Sequence, residues 1–452
     1  MTPEGREPPA IPAFISHRSS FPDMPEFEQV LLKNRFVDRA WDIDVYESRG
    51  GYAATRKGLK TMSPDDVMKE VADSQLRGRG GAGFPAARKW GFIPKDLSIP
   101  RYVVMNADES EPGTYKDRQL LEWDPHQCIE AMILSSYAIS AKQSYIFIRG
   151  EMALAAERLE FAIDQAYRKG YLGKNVLGTG WDFDLAVHRG AGAYICGEET
   201  ALLEALEGMR GNPRLRPPYF PAAKGLYFAP TVVNNCETLC CVPHIIERGA
   251  AWFAGIGTEK SKGPKLYCIS GHVQKPDIYE APFGITLRQL IDDYAGGLRP
   301  GRTLKAVIPG GASAPILTPD ALDTPLDFEG VAAAGSMLGS AAIIVMDDTT
   351  CMVGVALNLI HFFRHESCGK CTPCREGTDW LYKLLRRFEA GKGNQEDIDL
   401  LLKLTDSMDG KCFCLLGESA LVPVRTSIQK FREDYDRHIT EGHCPFELHL
   451  AH

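Results

Sequence analysis

The sequence lacks the composition of several protein classes. Its 51 lysine and arginine residues are outnumbered by 59 aspartate and glutamate residues, which gives a formal charge of −8. Nucleic-acid binding requires a basic stripe against the phosphate backbone, so we expect no nucleic acid partner. Apolar residues make up 44% and charged residues 24% of the 452 positions, which is typical of globular proteins and excludes disordered or collagen-like chains.

Long uninterrupted apolar runs are also missing. The most apolar stretch, residues 340–363, contains Asp347 and Asp348, and residues 1–25 are rich in proline and acids without the apolar core of a signal peptide. We therefore expect a soluble or peripheral protein in a reducing compartment. Thirteen cysteines are too few for a disulfide scaffold of this length, so clustered thiols indicate metal or redox ligands.

The chain length predicts about three domains, at roughly 150 residues for each. The pattern changes from alternating strands and helices to short strands with one helix, and then to helices almost throughout. The predicted parts are an extended N-terminal segment (1–30), an α/β domain (31–255), a small α+β domain (256–345) and a helical domain (346–452).

Local signals predict the main elements. Ser63 and Pro64 are typical of a helix start, and this helix is expected to run to Leu76, just before a glycine-rich stretch. Strands are predicted at 101–106, 144–149 and 182–189, and helices at 126–140, 152–169, 239–249, 353–365, 378–390, 396–409 and 424–438.

Three cysteines form the sharpest motif in the sequence. Cys368, Cys371 and Cys374 have two residues between each pair, and three thiolates at this spacing can hold one face of a 4Fe-4S cluster. Zinc usually takes two separated pairs, and unligated thiols would not need such spacing. Cys412 and Cys414 compete for the fourth position. The remaining eight cysteines are predicted to be buried small apolar residues without chemistry: 128, 196, 236, 240, 241, 268, 351 and 444.

The glycine-rich stretch RGRGGAGFPAARKWGF covers residues 77–92. Gly78, Gly80 and Gly83 match G-x-G-x-x-G, but a helix is predicted before them where a dinucleotide fingerprint requires a strand. Bare amides in such a loop can approach phosphate or a flat ring, which favours a nucleotide or flavin over a mobile surface loop. The stretch also supplies counter-charges and stacking rings: Arg79, Arg88, Lys89, Phe84, Trp90 and Phe92.

Two acidic clusters follow predicted strands. The first contains Asp108, Glu109 and Glu111, and the second contains Glu198 and Glu199 at the start of a helix. Either cluster alone could be a solvated cap. Carboxylates at such positions bind ribose hydroxyls and repel a 2′-phosphate, so we predict selectivity for NAD over NADP.

Taken in order, RGRGGAGFP, NADESEPGT, AYICGEETALLEALEG, VVNN-x-ET and ESCGKCTPCREG resemble the NADH-binding flavoprotein subunit of respiratory complex I, the family of NADH-quinone oxidoreductase F subunits. The resemblance spans about residues 30–440 and is shared with diaphorase subunits of NAD-linked hydrogenases and formate dehydrogenases. It implies a Rossmann-like FMN and NADH domain, a β-grasp domain and a helical bundle that holds a 4Fe-4S cluster.

The resemblance also implies roles for individual residues. NADH is expected to contact Phe84 and Phe92, with Glu111 at a ribose and Glu199 near the nicotinamide. Glu109 would help to orient the nicotinamide. The implied FMN contacts are Gly78, Arg79, Gly81, Lys89, Asn106, Asp108, Ser110, Tyr194, Gly197, Glu198, Asn234, Asn235 and Thr238. The implied cluster ligands are Cys368, Cys371, Cys374 and Cys414.

Three features depart from the family pattern. The turn RPPYFP has Arg216 where lysine is common, and it leaves open whether Tyr219 or Phe220 stacks on NADH. Cys236 replaces a usual aliphatic residue, and Cys412 falls where cysteine is unusual.

The expected function follows from the resemblance. FMN would accept a hydride from NADH, and electrons would pass singly to the 4Fe-4S cluster and on toward quinone. The expected partners are a small thioredoxin-like 2Fe-2S subunit and a large iron-sulfur subunit, with membrane contact on the cytoplasmic side only through other subunits. The alternatives are a hydrogenase or formate dehydrogenase diaphorase, whose additional ferredoxin-type cysteine patterns we do not see, and a non-catalytic electron-transfer scaffold.

Overall fold

A computed structural model describes residues 27–446 of the protein, and within them the chain forms two compact units. The first unit contains residues 27–110, 115–266 and 280–284, and the second contains 111–114, 267–279 and 285–446. Most of the predicted N-terminal segment, residues 1–26, lies outside the described part. Between residues 27 and 446, no helix has both the length and the apolar character needed to cross a membrane.

The first unit is built on a parallel sheet of four strands. The strands are β1 (Tyr102–Ala107), β2 (Gln143–Ile148), β3 (Asp184–Arg189) and β4 (Thr231–Asn235), in the order β3-β2-β1-β4. Tyr102 pairs with Gln143 on one side and with Thr231 on the other, so the carboxyl ends of β1 and β4 lie side by side. The edge at which parallel strands end is where α/β sheets bind their ligands.

Helices cover this sheet, as a parallel sheet requires. The α-helices of the described first unit are α1 (Ile43–Ser48), α2 (Ala53–Thr61), α3 (Pro64–Asp73), α4 (Ala86–Trp90), α5 (Lys116–Trp123), α6 (Pro125–Ala138), α7 (Ala153–Arg168), α8 (Glu199–Leu206), α9 (Pro221–Lys224), α10 (Cys236–Arg248) and α11 (Ala250–Ala254). α6 is buried on nearly every side, which explains its almost continuous apolar sequence.

The helix start predicted at Ser63 is present as α3. Ser63 accepts a hydrogen bond from the Asp66 N–H at 3.2 Å, and the Asp66 carboxylate accepts one from the Ser63 N–H at 2.9 Å. The helix ends at Asp73, before the predicted Leu76, because Gln75 has a positive φ of 57° that leaves the helical region.

Residues 280–284 are part of the first unit, and the carboxylate of Glu280 binds the start of the described chain. Glu280 accepts hydrogen bonds from the N–H groups of Val30, Leu31 and Leu32 at 2.8–3.0 Å. This buried carboxylate therefore fixes the first described turn of the chain.

A mixed sheet in the order β6-β5-β8-β7 lies mostly in the second unit, although the first three residues of β5 and the last three of β6 are counted with the first unit. Its strands are β5 (Pro264–Gly271), β6 (Asp277–Pro282), β7 (Leu304–Ile308) and β8 (Ala342–Asp347). β8 pairs in parallel with β5 and antiparallel with β7. The predicted single helix of this region is α12 (Leu287–Gln289), which continues as a π-helical turn over Leu290–Tyr294, and α13 (Phe328–Ala333) follows it.

Five helices complete the second unit: α14 (Met352–Glu366), α15 (Thr372–Glu389), α16 (Gln395–Met408), α17 (Leu415–Lys430) and α18 (Arg432–Glu441). The single helix predicted over 424–438 is wrong, because the chain breaks at Phe431, where φ is −133° and ψ is 41°. Ile428 and Tyr435 are buried on both sides of this break. The apolar pattern therefore continues through it and hides the change of helix.

Candidate cofactor sites

The glycine loop of the first unit forms a closed turn with an open face. The Gly78 N–H donates to the Phe84 carbonyl at 2.8 Å, which joins the two ends of the loop. Gly81 has a φ of 140°, and a β-carbon at this position would meet no atom within 4 Å. The backbone at Gly81 is therefore bare on one side, which suits the close approach of a flat ring or a phosphate.

The opposite side of the loop rests on the end of β4. A β-carbon at Gly80 would lie 2.9 Å from the Asn235 Cβ, so no side chain fits there. Asn235 caps α10 by accepting the Glu237 N–H at 3.0 Å. Of the three glycines in the formal fingerprint, Gly80 is needed for this close contact rather than for a dinucleotide.

Arg79 turns its side chain into the interior of the first unit. Its backbone N–H donates to Thr238 Oγ1 at 2.8 Å, and its Nη2 donates to the Lys262 carbonyl at 2.6 Å. The guanidinium carbon lies 4.4 Å from the ring centre of Phe283. Within the described residues Arg79 Nε and Nη1 have no hydrogen-bond partner, and such buried donors are open to a further acceptor.

A buried charge cluster lies below the loop, centred on Glu237. Lys116 Nζ lies 2.9 Å and Lys265 Nζ 2.7 Å from Glu237 Oε2, and Lys116 also donates to Asp117 Oδ1 at 2.8 Å. Burial alone would raise the pKa of Glu237, but Lys116, Lys265 and Arg79 hold it below the ordinary value. Burial lowers the pKa of Lys265 to about 8, against the attraction of Glu237.

The sequence pattern assigns no role to this cluster. Glu237 is visible as the acid in the VVNN-x-ET motif, but only the fold brings Lys116 and Lys265 to it. Asn235 joins the same network, since its Nδ2 donates to Asp117 Oδ2 at 2.6 Å. The charges therefore orient one of the predicted FMN contacts.

Glu109 is tied to the start of α5. Its carboxylate accepts the N–H groups of Asp117 at 2.7 Å and Arg118 at 3.0 Å. Burial and the charge of Asp117 together raise the pKa of Glu109 to about 7, although Lys116 and the two backbone hydrogen bonds oppose them. The predicted orienting carboxylate therefore has both its oxygens engaged by backbone donors.

The second acidic cluster forms a corner of ion pairs at the start of α8. Glu199 lies between two cations, with Lys89 Nζ 2.6 Å from Oε2 and Arg216 Nη1 2.8 Å from Oε1. Glu198 accepts the Thr200 N–H at 2.9 Å as the cap of α8, and its other oxygen lies 3.1 Å from Arg216 Nη2. The structure thus brings together four predicted site residues that are up to 127 positions apart in the sequence, from 89 to 216.

The end of β1 joins this corner. Asn106 Nδ2 donates to the Gly197 carbonyl at 2.9 Å, and Asn106 Oδ1 accepts the Asp108 N–H at 3.1 Å. Ser110 Oγ donates to the Asp108 carbonyl at 3.2 Å. Most of the predicted FMN residues therefore lie at the carboxyl ends of β1 and β4 or on turns bonded to them.

The ends of α4 and β4 are joined in the same way. Trp90 Nε1 donates to Asn234 Oδ1 at 2.8 Å, and Lys89 Nζ donates to the Val233 carbonyl at 2.7 Å. Trp90 is fully buried, so it is a packing residue rather than the stacking ring that the sequence allowed.

Several aromatic rings near the predicted site are exposed. Phe84 and Phe92 are 42% and 54% exposed, and their ring centres lie 6.2 Å apart. Phe220 is 53% exposed, whereas Tyr219 contacts Phe228 with ring centres 6.2 Å apart. Tyr194 begins a 3₁₀ turn that leads into the cap of α8.

Glu111 belongs to the second unit. Its Oε1 accepts the N–H of Ser313 at 2.8 Å and the hydroxyl of the same residue at 2.7 Å. The ribose contact that the resemblance implies for Glu111 stays a prediction.

The candidate cluster cysteines of the second unit lie at the N-termini of two helices. Cys371 immediately precedes α15 and Cys414 immediately precedes α17, both with extended backbone, and Cys374 lies in the first turn of α15. Burial is the largest cause that raises the pKa of Cys374 to about 12; the neighbouring thiols Cys371, Cys414 and Cys368 also raise it, and a hydrogen bond with Ser367 opposes them. The Phe413 N–H, next to Cys414, donates to Cys371 Sγ at 3.5 Å, so the two cysteine segments are in contact.

The chemistry of these groups fits a cluster. All-cysteine ligation of 4Fe-4S needs four thiolates, which the four cysteines implied by the resemblance would supply, and two helix N-termini favour negative charge there. The assignment of these four ligands stays a prediction. The side chain of Cys412 contacts the preceding turn of the chain, where its Sγ lies 3.7 Å from the Met408 carbonyl. A β-carbon at Gly417 would lie 2.3 Å from Cys412 Sγ, so Gly417 makes room for this side chain.

Comparison with known families gives three matches along the chain. Residues 71–244 match the family described as the Nuo51 FMN-binding domain, and residues 265–345 match the SLBB domain. Residues 354–438 match the iron-sulfur binding region of NADH-ubiquinone oxidoreductase-F. These matches define a class of proteins that bind FMN and a 4Fe-4S cluster, and they confirm both cofactor predictions.

Whole-chain relatives agree with this class. The chain is 55% identical over 420 residues to the second NADH-quinone oxidoreductase F subunit of Rhizobium meliloti (strain 1021), covering 93% of this chain and all of the relative. It is 55% identical over 410 residues to the NADH-quinone oxidoreductase F subunit of Streptomyces coelicolor (strain ATCC BAA-471 / A3(2) / M145), covering 91% of each chain. The protein belongs to the family of NADH-quinone oxidoreductase F subunits, as the sequence motifs predicted.

A solved structure has a similar fold. The crystal structure of an NAD⁺-reducing [NiFe]-hydrogenase in the H₂-reduced state matches with a TM-score of 0.80 and 36% identity, covering 93% of this chain and 68% of that chain. Of the predicted fold class, the parallel α/β domain and a C-terminal helical region with an iron-sulfur binding region are confirmed, and the middle region matches an SLBB domain. The Rossmann-like, β-grasp and helix-bundle details stay predictions.

Replacement of Glu237 by alanine is expected to destabilise the first unit strongly. The change leaves two buried ammonium groups without their shared carboxylate, and breaking a buried ion pair costs about 3–5 kcal/mol. Thermal unfolding followed by circular dichroism measures the loss. Glu160→Ala, which removes a partly exposed partner of Arg189, is the control, and an equal shift in both variants would contradict the assignment.

Proposed function

We propose that the protein is the NADH-oxidising flavoprotein subunit of a complex I type NADH:quinone oxidoreductase. The observation that carries the proposal is the convergence of an open glycine loop, the polar ends of β1 and β4, and the ion-paired corner at α8 in one unit. When bound, FMN accepts the two electrons of a hydride and releases them one at a time, and a 4Fe-4S cluster accepts one electron.

The protein's part at the flavin is to bind and orient it. We assign the bare backbone at Gly81 to close approach of FMN, and the corner of Asn106, Gly197 and Glu198 to its polar groups. Arg79 supports this assignment through its backbone, which is held at the loop by Thr238. Lys89, at the end of the glycine stretch, supplies the counter-charge for an anionic cofactor.

For NADH we assign Glu199 to the nicotinamide side. Its carboxylate accepts hydrogen bonds from Lys89 and Arg216, which hold it in place. The carboxamide N–H of an incoming nicotinamide would compete with these two cations for the same carboxylate oxygens. Arg216, which pairs with Glu199, supplies positive charge on the NADH side of this corner. The exposed rings of Phe84, Phe92 and Phe220 are available for stacking, and Phe220 is the more exposed aromatic of its pair.

We assign Cys368, Cys371, Cys374 and Cys414 as the cluster ligands. Cys414 is favoured over Cys412 because it precedes α17, whose N-terminus stabilises a thiolate, while Cys412 donates to a carbonyl of its own turn. Phe413 and Leu415, on either side of Cys414, are 37% and 69% exposed. Exposed apolar side chains next to a redox centre support a docking surface for an electron-accepting partner.

The partners proposed for this surface are a small thioredoxin-like 2Fe-2S subunit and a large iron-sulfur subunit. Through them the protein would be attached to the cytoplasmic side of the membrane. We keep the proposed division into FMN and NADH (31–255), β-grasp (256–345) and cluster (346–452) domains.

A diaphorase role in an NAD-linked hydrogenase is the second candidate, favoured by the fold of the NAD⁺-reducing hydrogenase. The whole-chain identity of 55% to NADH-quinone oxidoreductase relatives, against 36% to that hydrogenase chain, supports the complex I assignment.

The Glu199→Gln variant is expected to react more slowly with NADH. The variant loses the negative charge that accepts the carboxamide N–H, and it breaks the ion pairs with Lys89 and Arg216. A hydrogen bond to a charged group contributes about 1.5–3 kcal/mol, so its loss should slow the reaction at least about tenfold. Bleaching of the flavin band after NADH addition, followed by stopped flow, measures the effect. Glu160→Gln should react as the unaltered protein does. Equal rates in the Glu199 variant would contradict this role, and a flavin that NADH never bleaches would contradict the proposed function itself.

Cys414→Ser and Cys412→Ser should differ in iron content. Loss of a ligand thiolate is expected to remove most of the iron, whereas Cys412→Ser keeps four iron atoms per chain because a serine hydroxyl also fits beside the Met408 carbonyl. Iron analysis and low-temperature EPR of the reduced proteins measure this difference. The opposite pattern would assign Cys412 as the ligand.

The two candidate complexes predict different co-purifying subunits. Native purification followed by mass spectrometry should recover quinone-reducing membrane subunits with this protein. Recovery of nickel-containing hydrogenase subunits instead would support the diaphorase candidate.

A further inference from the structure

A second group of metal-ligating side chains lies in the helical part of the second unit. Cys351, Glu389, His438 and Cys444 each offer one ligand atom, and the four atoms lie within 4.8 Å of one another. They come from the start of α14, the end of α15, the last turns of α18 and the segment after it. Neither the iron-sulfur motif nor the flavin site uses any of them.

The distances within this group match a tetrahedral ion. Cys351 Sγ lies 3.5 Å from Glu389 Oε1 and 3.6 Å from His438 Nε2, and that nitrogen lies 3.6 Å from Glu389 Oε1. Zinc binds sulfur at about 2.3 Å and nitrogen or oxygen at about 2.0 Å, so two ligands at a tetrahedral angle lie roughly 3.5 Å apart. The group therefore has the size of a zinc coordination shell.

The histidine is held in the form that binds a metal. His438 Nδ1 lies 2.6 Å from the Asp434 carbonyl, and this contact requires the proton on Nδ1. The Nε2 lone pair then points into the group of four. Asp434 is fixed in turn, because its carboxylate accepts from Lys305 Nζ at 2.7 Å and from the Met352 N–H at 2.8 Å. Such an outer shell is typical of metal-bound histidines.

The thiol of Cys351 is placed to bind as a thiolate. It caps α14, where its Sγ accepts the Gly354 N–H at 3.3 Å, and the N-terminus of this 15-residue helix favours negative charge. Metal coordination displaces the proton of a thiol.

The arrangement does not fit a catalytic triad. A relay needs the nucleophile on one ring nitrogen and the orienting acid on the other. Here both Cys351 and Glu389 lie at His438 Nε2, and Nδ1 faces a backbone carbonyl. All of the side chains converge on one point, which is the geometry of a shared ion.

We propose that Cys351, Glu389, His438 and Cys444 bind one structural Zn²⁺ ion. Binding replaces one proton on each thiol, so two protons are released and two thiolates, one carboxylate and one neutral imidazole surround the ion. Four protein ligands leave no open position, as in structural zinc sites. The ion would bind the segment after α18, where Cys444 lies, to the start of α14 and the end of α15.

Elemental analysis of the purified full-length holoprotein tests the proposal. We expect one zinc in addition to four iron atoms per chain, and zinc-edge X-ray absorption with two sulfur neighbours at about 2.3 Å and two nitrogen or oxygen neighbours at about 2.0 Å. Cys444→Ser should reduce zinc at least tenfold while iron and FMN are retained. Cys268→Ala, which alters a buried cysteine outside the group, should keep its zinc.

Several results would overturn the proposal. These are protein that contains no zinc although zinc was supplied during its preparation, full zinc retention in Cys444→Ser, a fifth iron in place of zinc, or a Cys351–Cys444 disulfide found by mass spectrometry. If Cys444→Ser does not fold, the zinc-edge spectrum of the unaltered protein decides, because a shell without two sulfur neighbours contradicts the assigned ligands.

Discussion

The buried carboxylate of Glu237 is the constraint on which the flavin end of the first unit depends. It forms ion pairs with Lys116 at the start of α5 and with Lys265 in β5, and it accepts the Leu266 N–H at 3.0 Å. Two buried ammonium groups would repel each other without it, since both are removed from water. One side chain at the start of α10 therefore fixes three segments that are far apart in the sequence.

This constraint has a consequence for ligand binding. Asp117, paired with Lys116, orients Asn235, and Asn235 is the surface against which Gly80 is pressed. The buried charge cluster therefore helps to set the position of the glycine loop, together with the hydrogen bonds within the loop. A loop fixed from below can leave Gly81 bare, and a preorganised backbone loses less entropy when a cofactor binds.

Local signals predict the parts of the structure that depend on neighbouring residues. The cap at Ser63, the strand at β1 and the cysteine triplet are each readable within about ten positions. The break at Phe431 escapes prediction because the same buried face continues through it. The charge cluster escapes for another reason: Lys116 and Lys265 meet Glu237 only after the chain folds, and single lysines carry no pattern.

The thirteen cysteines show the same division between local and long-range information. The sequence predicts burial for all eight cysteines outside the motif, yet Cys444 is half-buried and lies with Cys351 in a group that also contains Glu389 and His438. His438 and Cys444, with five residues between them, have the spacing of one half of a zinc motif, but Cys351 and Glu389 are far from them and from each other in the sequence, so no complete zinc motif is readable. The distinguishing feature is the donor chemistry. Thiols that only pack need apolar neighbours, whereas the Cys351 sulfur lies 3.5 Å from a carboxylate oxygen of Glu389 and 3.6 Å from Nε2 of His438. Sulfur, nitrogen and oxygen donors at such distances are the ligand types that zinc binds.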